Sequence, residues 1–397
     1  MNILVINSGS SSVKYKLFSV KDAKELARGI IERIGLKKSC FCHKAAGGKE
    51  IKSFRDISDH ESAIRMALSF LTDKVHGVIK DVSEIDAVGH RVVHGGEEFS
   101  DSTVITPRVI KVIRSYFKLA PLHNPPNMLG IKVAQKLLPR IKHVAVFDTA
   151  FHHGMPPSSY LYALPYVFYK KDKIRRYGFH GTSHKCVALR AAEILGKPLK
   201  KLKLITCHLG NGCSITAVKN GKSVKTSMGF TPLEGLVMGT RSGDIDPAVV
   251  LFLMGQKNFS VEEIDNLLNK KSGLLGVSGI SSDMRDVYGA LKRGNKKARL
   301  AFEVFIDRIQ KYIGSYAVAM DGVDAIVFTA GIGENHPPTR QEVCRKLSFL
   351  GVKIDSAKNR SSRKEKIITK KGSKIKVLVI PTNEELMIAR ETYRLVK

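Results

Sequence analysis

Arginines, histidines and carboxylates stand in this chain where chemistry is most readily built, beside glycine-rich turns or directly after short apolar runs. Arg91 lies in Gly-His-Arg-Val-Val-His-Gly-Gly, and Arg241 in Gly-Thr-Arg-Ser-Gly-Asp-Ile-Asp-Pro. A guanidinium is a planar fork of donors that grips a carboxylate or a phosphoryl group through two bonds, although either arginine alone also suits a structural role. His123 (Pro-Leu-His-Asn-Pro-Pro), His180 (Tyr-Gly-Phe-His-Gly-Thr-Ser-His) and His208 sit beside similar turns. His180 and His184 have the spacing of a helical zinc pair, but the Gly-Thr-Ser between them lacks the glutamate of the metalloprotease motif. Donation to phosphoryl oxygens is the better reading. Asp148 ends Val-Ala-Val-Phe-Asp, and Glu384 follows Val-Ile-Pro-Thr-Asn. Carboxylates at the C-terminal ends of strands suit Mg2+ or a reacting group in α/β folds. The neighbouring Glu385 reads as a helix N-cap.

The turns themselves suggest a polyphosphate. Asn7-Ser-Gly-Ser, His208-Leu-Gly-Asn-Gly212 and Ala330-Gly-Ile-Gly-Glu-Asn335 each follow an apolar run. Backbone N–H groups in such turns approach anionic oxygens closely because glycine has no Cβ. A tight turn between strands explains any one of them, but explains three together less well. Two standard templates fail. Gly221-Lys222-Ser223 would need glycine at 216 for a P-loop, and Thr216 is there; Gly210 and Gly212 would need glycine at 215 for the dinucleotide fingerprint, and Ile215 is there.

These residues require strands to hold them. Ile3 to Ile6, a Gly-Ser turn over Ser8 to Ser12, and Val13 to Phe18 read as strand, turn and strand. The pattern recurs half a chain later as Leu204 to Cys207, Leu209 to Gly212 and Cys213 to Val218, with Asn220-Gly221 making a hairpin into a further strand. Aligning Asn7-Ser-Gly-Ser with His208-Leu-Gly-Asn suggests two lobes, each with a phosphate-facing turn. Further strands are expected near Val88 to Val93, His143 to Phe147, Asp324 to Thr329 and Lys376 to Ile380. Helices are expected from Pro107 to about Leu119, from near Pro126, from a Ser260/Glu263 capping box to a stop at Gly273, and from about Asn383. Alternating strands and helices indicate an α/β fold.

Three blocks resemble one family. Asn7-Ser-Gly-Ser-Ser-Ser-Val-Lys14, Cys207-His-Leu-Gly-Asn-Gly-Cys-Ser214 and the ungapped Gly229 to Pro247 block look like signatures of the acetate kinases, in the acetate and sugar kinase/actin superfamily. The resemblance runs from Asn2 to the Glu384 region. It implies a two-lobed, actin-like (ribonuclease H-like) duplicated α/β fold with an interlobe cleft. Residues 1–150, rejoined by a helix at about 383–397, would form the acid and phosphate side; 151–382 would bind nucleotide and dimerise. It further implies reversible transfer of the ATP γ-phosphoryl group to acetate by a cytoplasmic homodimer.

Carried over by position, Asn7 and Glu384 would hold Mg2+ (or Mn2+), and Lys14 would reach the nucleotide phosphates. Arg91 would bind the acid and Asp148 would act on or orient its carboxylate. His180 and Arg241 would stabilise the transferring phosphoryl group, with His123 nearby. His208, Leu209, Gly210, Asn211 and Gly212 would line the phosphate side of ATP. Asp283, Met284 and Arg285, with Gly331, Ile332, Gly333, Glu334 and Asn335, would surround the adenosine; relatives are expected to carry an aromatic or other apolar residue at Met284. Val93, Leu122 and Pro232 would wall a methyl pocket sized for acetate.

Composition bounds the rest. The 397 residues are 43% apolar without any long apolar run, which leaves room for more than one core and argues against a spanning helix. The first residues lack a basic n-region and a cleavage site, so no signal peptide is expected. Six cysteines are too sparse for a disulfide framework, and Cys40, Cys42 and His43 lack the further ligands of a zinc site. The formal net charge of +30 favours anionic partners in general. The densest basic stretch, Lys353 to Lys376, has no interleaved aromatics, so it reads as a solvated surface rather than a nucleic-acid site. Three rivals follow: a propionate or other short-chain acyl kinase, an actin-like ATPase serving a protein partner, and a basic anion- or RNA-binding protein.

Overall fold

The computed structural model describes every residue from Met1 to Lys397 except Leu122. The chain divides into two compact units, Met1–His153 with Asn383–Lys397, and Gly154–Thr382.

The first unit is built on eight strands: β1 (Asn2–Ser8), β2 (Ser12–Ser19), β3 (Lys24–Glu32), β4 (Ser39–Ala45), β5 (Ile51–Arg55), β6 (Ala87–Val92), β7 (Thr103–Val104) and β8 (Lys142–Phe147). Their order across the sheet is β5-β4-β3-β2-β1-β6-β8-β7, with β1, β6 and β8 mutually parallel and the other neighbours antiparallel. The sequence explains the difference. Ile3, Leu4, Val5 and Ile6 form a continuous apolar run, the mark of a strand covered on both faces. In β2, Val13, Tyr15 and Leu17 are buried while Lys14 and Lys16 point the other way. Helices His60–Leu71 and Asn124–Leu137 cover one face, packing Ile64, Leu68 and Val133 on Leu4, Ile6 and Val13. Helix Glu384–Val396 covers the other, packing Ile388 and Ala389 on Ile3, Val5 and Val144. That approach is close enough to require glycine: a Cβ on Gly89 would lie 2.4 Å from Thr392 Oγ1.

The second unit carries β9 (Lys203–Leu209), β10 (Cys213–Lys219), β11 (Lys222–Thr226), β12 (Ala325–Thr329), β13 (Lys366–Ile367) and β14 (Lys376–Val379) in the order β11-β10-β9-β12-β14-β13. Here β9, β12 and β14 are parallel. Asn220 and Gly221 have φ of 56° and 80°, so the β10–β11 connection is the two-residue hairpin turn that needs positive φ at both positions.

The two sheets share one plan. The order β3-β2-β1-β6-β8 is repeated as β11-β10-β9-β12-β14, antiparallel on one side of the first strand and parallel on the other. Asn7 pairs with Lys14 where His208 pairs with Ser214, so the two turns occupy equivalent points of the repeat.

Three local expectations need correction. Ala330–Asn335 is a short helix rather than an open turn, because Glu334 reaches back to accept the Ala330 N–H at 2.8 Å. The Ser260/Glu263 capping box is present, but its helix ends at Lys270, and Gly273 (φ 64°) opens the next helix instead of stopping this one. The C-terminal helix is capped by Asn383, which accepts the Leu386 N–H at 3.1 Å, while Glu385 pairs with Lys16 at 3.4 Å.

Candidate active site

In the first unit the expected residues collect at the C-terminal ends of parallel strands. Arg91, near the end of β6, donates from Nη2 to Asp148, which follows β8 and is 1% exposed. The Arg91 Nε is buried and pairs with no acceptor. Burial alone would weaken this cation, but the charges of Asp148 and Glu384 outweigh it and hold the guanidinium firmly protonated. Glu384 opens the C-terminal helix. Burial first, and then the charge of Asp148, push its carboxyl up to about 7. The strand end beyond Arg91 is clamped by helix Asn124–Leu137: Asn127 accepts from the Val93 N–H (3.1 Å) and donates to the Ser8 carbonyl (2.7 Å). Asn124 accepts from His94 N–H (3.1 Å) and donates to its carbonyl (3.0 Å). Val93 is thus buried and fixed next to the turn that follows Asn7. His123 is half-buried immediately before this helix, and Leu122 lies outside the described residues. Asn7 and Lys14 face one another across β1 and β2 and line a cavity of about 150 Å3 with Lys16, Arg28 and Glu385.

In the second unit, His180 has φ 56°, a left-handed conformation that a non-glycine residue holds only under constraint, and it immediately precedes helix Gly181–Leu195. Its ring stacks on His208, with centroids 4.1 Å apart, and His208 Nδ1 lies 2.8 Å from Ser183 Oγ. A Cβ on Gly212 would lie 3.4 Å from His180 Cε1 and 3.5 Å from Arg241 Nη1, so one turn brings imidazole and guanidinium to the same spot. Arg241 donates to the Pro232 carbonyl at 3.3 Å and lies 3.7 Å from the Met238 sulfur. Burial lowers its affinity for its proton, and no carboxylate among the described residues pairs with it. A desolvated guanidinium without a counter-ion is a site prepared for an anion.

The loop holding Arg241 is itself anchored. Arg176 donates to Glu234 and to the carbonyls of Thr226, Ser227 and Met228, while Tyr162 donates to Glu234 and accepts the Phe230 N–H. Asp244 accepts the Gly235 N–H at 2.9 Å and the Tyr312 hydroxyl at 3.0 Å.

A separate cavity of about 540 Å3 is lined by Gly210, Asn211, Asp283, Met284, Arg285, Gly331, Ile332 and Asn335, with Ser282 and His336. Several of the residues expected on the phosphate and adenosine sides of ATP therefore meet around one space, with exceptions. Leu209 is fully buried in the sheet. Glu334 turns inward, accepting the N–H groups of Ala330 and Thr382. Gly333 lies behind it, its carbonyl taken by Arg340 at 2.8 Å. Asp283 caps helix Met284–Lys292 and is held down to about 2 by Arg285. The sequence reading missed Asn124, Asn127, Ser214, Glu234 and His336. Only Asn124-Pro-Pro-Asn127, flanking His123, offered a local signal; the others act through partners distant in sequence.

Two α/β units of one topology, one ending in a buried arginine–carboxylate cluster and the other in glycine turns beside an uncompensated arginine, define a phosphotransferase of the duplicated α/β class. The acetokinase family model matches residues 2–390, and the chain belongs to that family. It is 58% identical to the acetate kinase of Thermotoga maritima over 400 residues, covering 100% of this chain and 99% of that one. The crystal structure of Porphyromonas gingivalis acetate kinase superposes with a TM-score of 0.96 at 51% identity, covering 100% of both chains. A propionate kinase from Francisella tularensis superposes at 0.93 with 46% identity, covering 99% of each.

Proposed function

We propose that this chain transfers the γ-phosphoryl group of ATP reversibly to acetate, giving acetyl phosphate and ADP. The observation that carries the reading is Arg91, whose buried Nε has no acceptor within the protein while its Nη2 is committed to Asp148. The remaining donors suit a small carboxylate, and the acetate kinases among the relatives supply the acid's identity.

A carboxylate is already a competent nucleophile, so no strong base is required. Arg91 binds the acid and Asp148, paired with that arginine, orients it. Phosphoryl transfer passes through a loose transition state with charge on its equatorial oxygens, so positioned donors do most of the work. Arg241 and His180 provide these donors, with His123 as a further one, and the turn His208 to Gly212 and Lys14 take the nucleotide phosphates. The cavity beside Asn211 and Asp283 takes the adenosine. Asn7 and Glu384 would hold Mg2+, or Mn2+. The donor set fits: both offer hard oxygens, and the mutual repulsion of Glu384 and Asp148 is what a dication relieves. When bound, the ion neutralises phosphate charge. Transfer is direct and in line; a phosphoryl-protein that chases into product at a competent rate would overturn this.

Val93 walls the methyl pocket, with Leu122 and Pro232 assigned by resemblance. A second reading, propionate as the preferred acid, is favoured by the likeness to the Francisella tularensis propionate kinase. Trapping acyl phosphate as hydroxamate with each acid decides between them. Higher kcat/KM with acetate is expected; a propionate preference would change the substrate, and no acyl phosphate with either would remove the proposal.

The protein acts as a homodimer in this account. Helix Pro247–Gln256 is strongly apolar yet has no buried residue, with Leu251 71% and Phe252 55% exposed, a face that a second copy would cover. The six cysteines are free thiols, as suits the reducing cytoplasm. No helix of the described residues is long and apolar enough to cross a membrane.

A further inference from the structure

Arg241 is carried by a loop whose two ends are held by tyrosine hydroxyls. Its own side-chain contacts are thin: Nη1 has the Pro232 carbonyl at 3.3 Å and the Met238 sulfur at 3.7 Å. Bonds this long hold a guanidinium weakly. Where it points is therefore set by the backbone that carries Arg241 and by the segment that carries Pro232.

The Pro232 segment is bracketed by one hydroxyl. Tyr162 accepts the Phe230 N–H at 2.8 Å and donates to Glu234, two residues to either side of Pro232. Arg176 holds the other oxygen of Glu234. Beyond Arg241, Asp244 brings the chain back to the start of the loop: its N–H donates to the Gly235 carbonyl and its Oδ1 accepts the Gly235 N–H, both at 2.9 Å. The crossing is tight. Gly235 and Gly243 have φ of 112° and 69°, and a Cβ on Gly243 would lie 2.5 Å from the Gly235 carbonyl oxygen. The same carboxylate ties the loop to helix Lys296–Met320, where the Tyr312 hydroxyl donates to it at 3.0 Å, with Arg308 at 3.5 Å and Lys311 at 3.7 Å on the same helix face. Burial first, and then the charge of the facing carboxylate, push both tyrosine hydroxyls up, so each remains a donor. At the tip, Met238 N–H donates to the Arg241 carbonyl (3.1 Å) and Gly239 N–H to the Asn211 carbonyl (2.9 Å), a closed turn that passes a shift of either end on to Arg241.

We propose that Tyr162 and Tyr312 are positioning residues for Arg241: acting through Glu234 and Asp244, their hydroxyls hold its guanidinium beside Gly212, where Nη1 lies 3.5 Å from the point a Cβ would occupy. The inference rests on the reading of Arg241 given above, and its tests separate the two.

Tyr162→Phe and Tyr312→Phe each delete one hydroxyl and keep the ring. Each should lower kcat about tenfold, within what a misplacement of about 1 Å costs, and leave the KM for ATP within about twofold. Added to Arg241→Ala, neither should lower kcat by more than about twofold further, because the group they aim is gone. A structural role alone would give the same loss in both backgrounds; that result, or an unchanged kcat in the single variants, overturns the proposal. Crystal structures of the two variants supply a readout apart from activity. The Arg241 guanidinium should stand about 1 Å or more from its place beside Gly212. A guanidinium left in place overturns the proposal. Should Arg241→Ala keep full kcat, the phosphoryl role of Arg241 fails instead, and the crystal structures decide whether the tyrosines position it. Where a phenylalanine variant does not fold, Glu234→Gln or Asp244→Asn, which keeps the side chain's shape and weakens the tyrosine bond, gives the same comparison.

Discussion

The two units share a strand plan but equip it with opposite chemistry. In the first, the strand ends carry ionisable side chains: Arg91 paired with Asp148, with Glu384 beside them and Lys14 across β1 and β2. In the second, the equivalent region is served by imidazoles tied to hydroxyls, glycine turns, and an arginine without a carboxylate. At the equivalent turn positions stand Asn7 and His208. A carboxylic acid and a cation are best met by fixed charges that compensate one another when the site is empty. A phosphoryl group carrying several negative charges is better met by donors and one uncompensated cation, because a resident carboxylate would repel it.

The largest expected effects break this contrast at its cations. Arg241→Ala should lower kcat by about 10³-fold, the order expected for losing a preorganised donor to transition-state charge, and Arg91→Ala should lower kcat/KM for acetate by a comparable factor. Their effects on stability should differ. Arg91→Ala strands the buried Asp148 carboxylate, so Tm should fall and recover in the Arg91→Ala/Asp148→Asn double variant. Arg241→Ala strands nothing, and its Tm should hold or rise in thermal melts.

Next come the glycines. Gly89→Ala drives a methyl against Thr392 and Ile388 of the helix that begins at Glu384, and should cost about 1–3 kcal/mol in chemical denaturation while lowering kcat. Gly331 faces open space at the cavity beside Asn211 and Asp283, so, on the proposed adenosine role of that cavity, Gly331→Ala should leave stability unchanged and raise the KM for ATP. A smaller shift is expected from Val93→Ala, which should move the propionate-to-acetate ratio of kcat/KM upward by about tenfold, one methylene's worth of discrimination. An unchanged ratio would remove Val93 from the pocket wall.

The smallest effect is in acid stability. Burial pushes His336 down to about 4 in the folded protein, below the ordinary 6.5. The unfolded chain therefore takes up the proton first, so this contribution is complete above about pH 6.5 and is lost as pH falls toward 4. His336→Gln should flatten that part of the Tm–pH curve; an unchanged slope would assign it to the first unit's buried His90 and His143, whose pKa values are also lowered.

Much of this was legible in the sequence because it is local. The recurrence of polar residue, spacer and glycine at Asn7 and His208 marked the repeat, and apolar runs before Asp148 and Glu384 marked the strand ends. What stayed hidden depends on distant partners or on conformation. Asn127 reads as one more helix-opening residue until it is seen bridging Ser8 and Val93. Glu334, in a glycine turn, read as a ligand contact, yet its carboxylate folds inward onto two backbone N–H groups. Pro-Ala-Val-Val-Leu-Phe-Leu-Met looks like core by hydropathy, yet it forms a helix that the chain itself leaves uncovered. No side-chain pattern announces the left-handed backbone of His180.

The central claim is that the first unit binds the acid and the second the nucleotide. Measuring both KM values in Arg91→Lys and Asn211→Ala tests it most directly. Arg91→Lys should raise the KM for acetate at least about tenfold and leave that for ATP within about twofold, with Asn211→Ala doing the reverse. If Arg91→Lys raised the ATP value as much as the acetate value, the division of labour would be wrong.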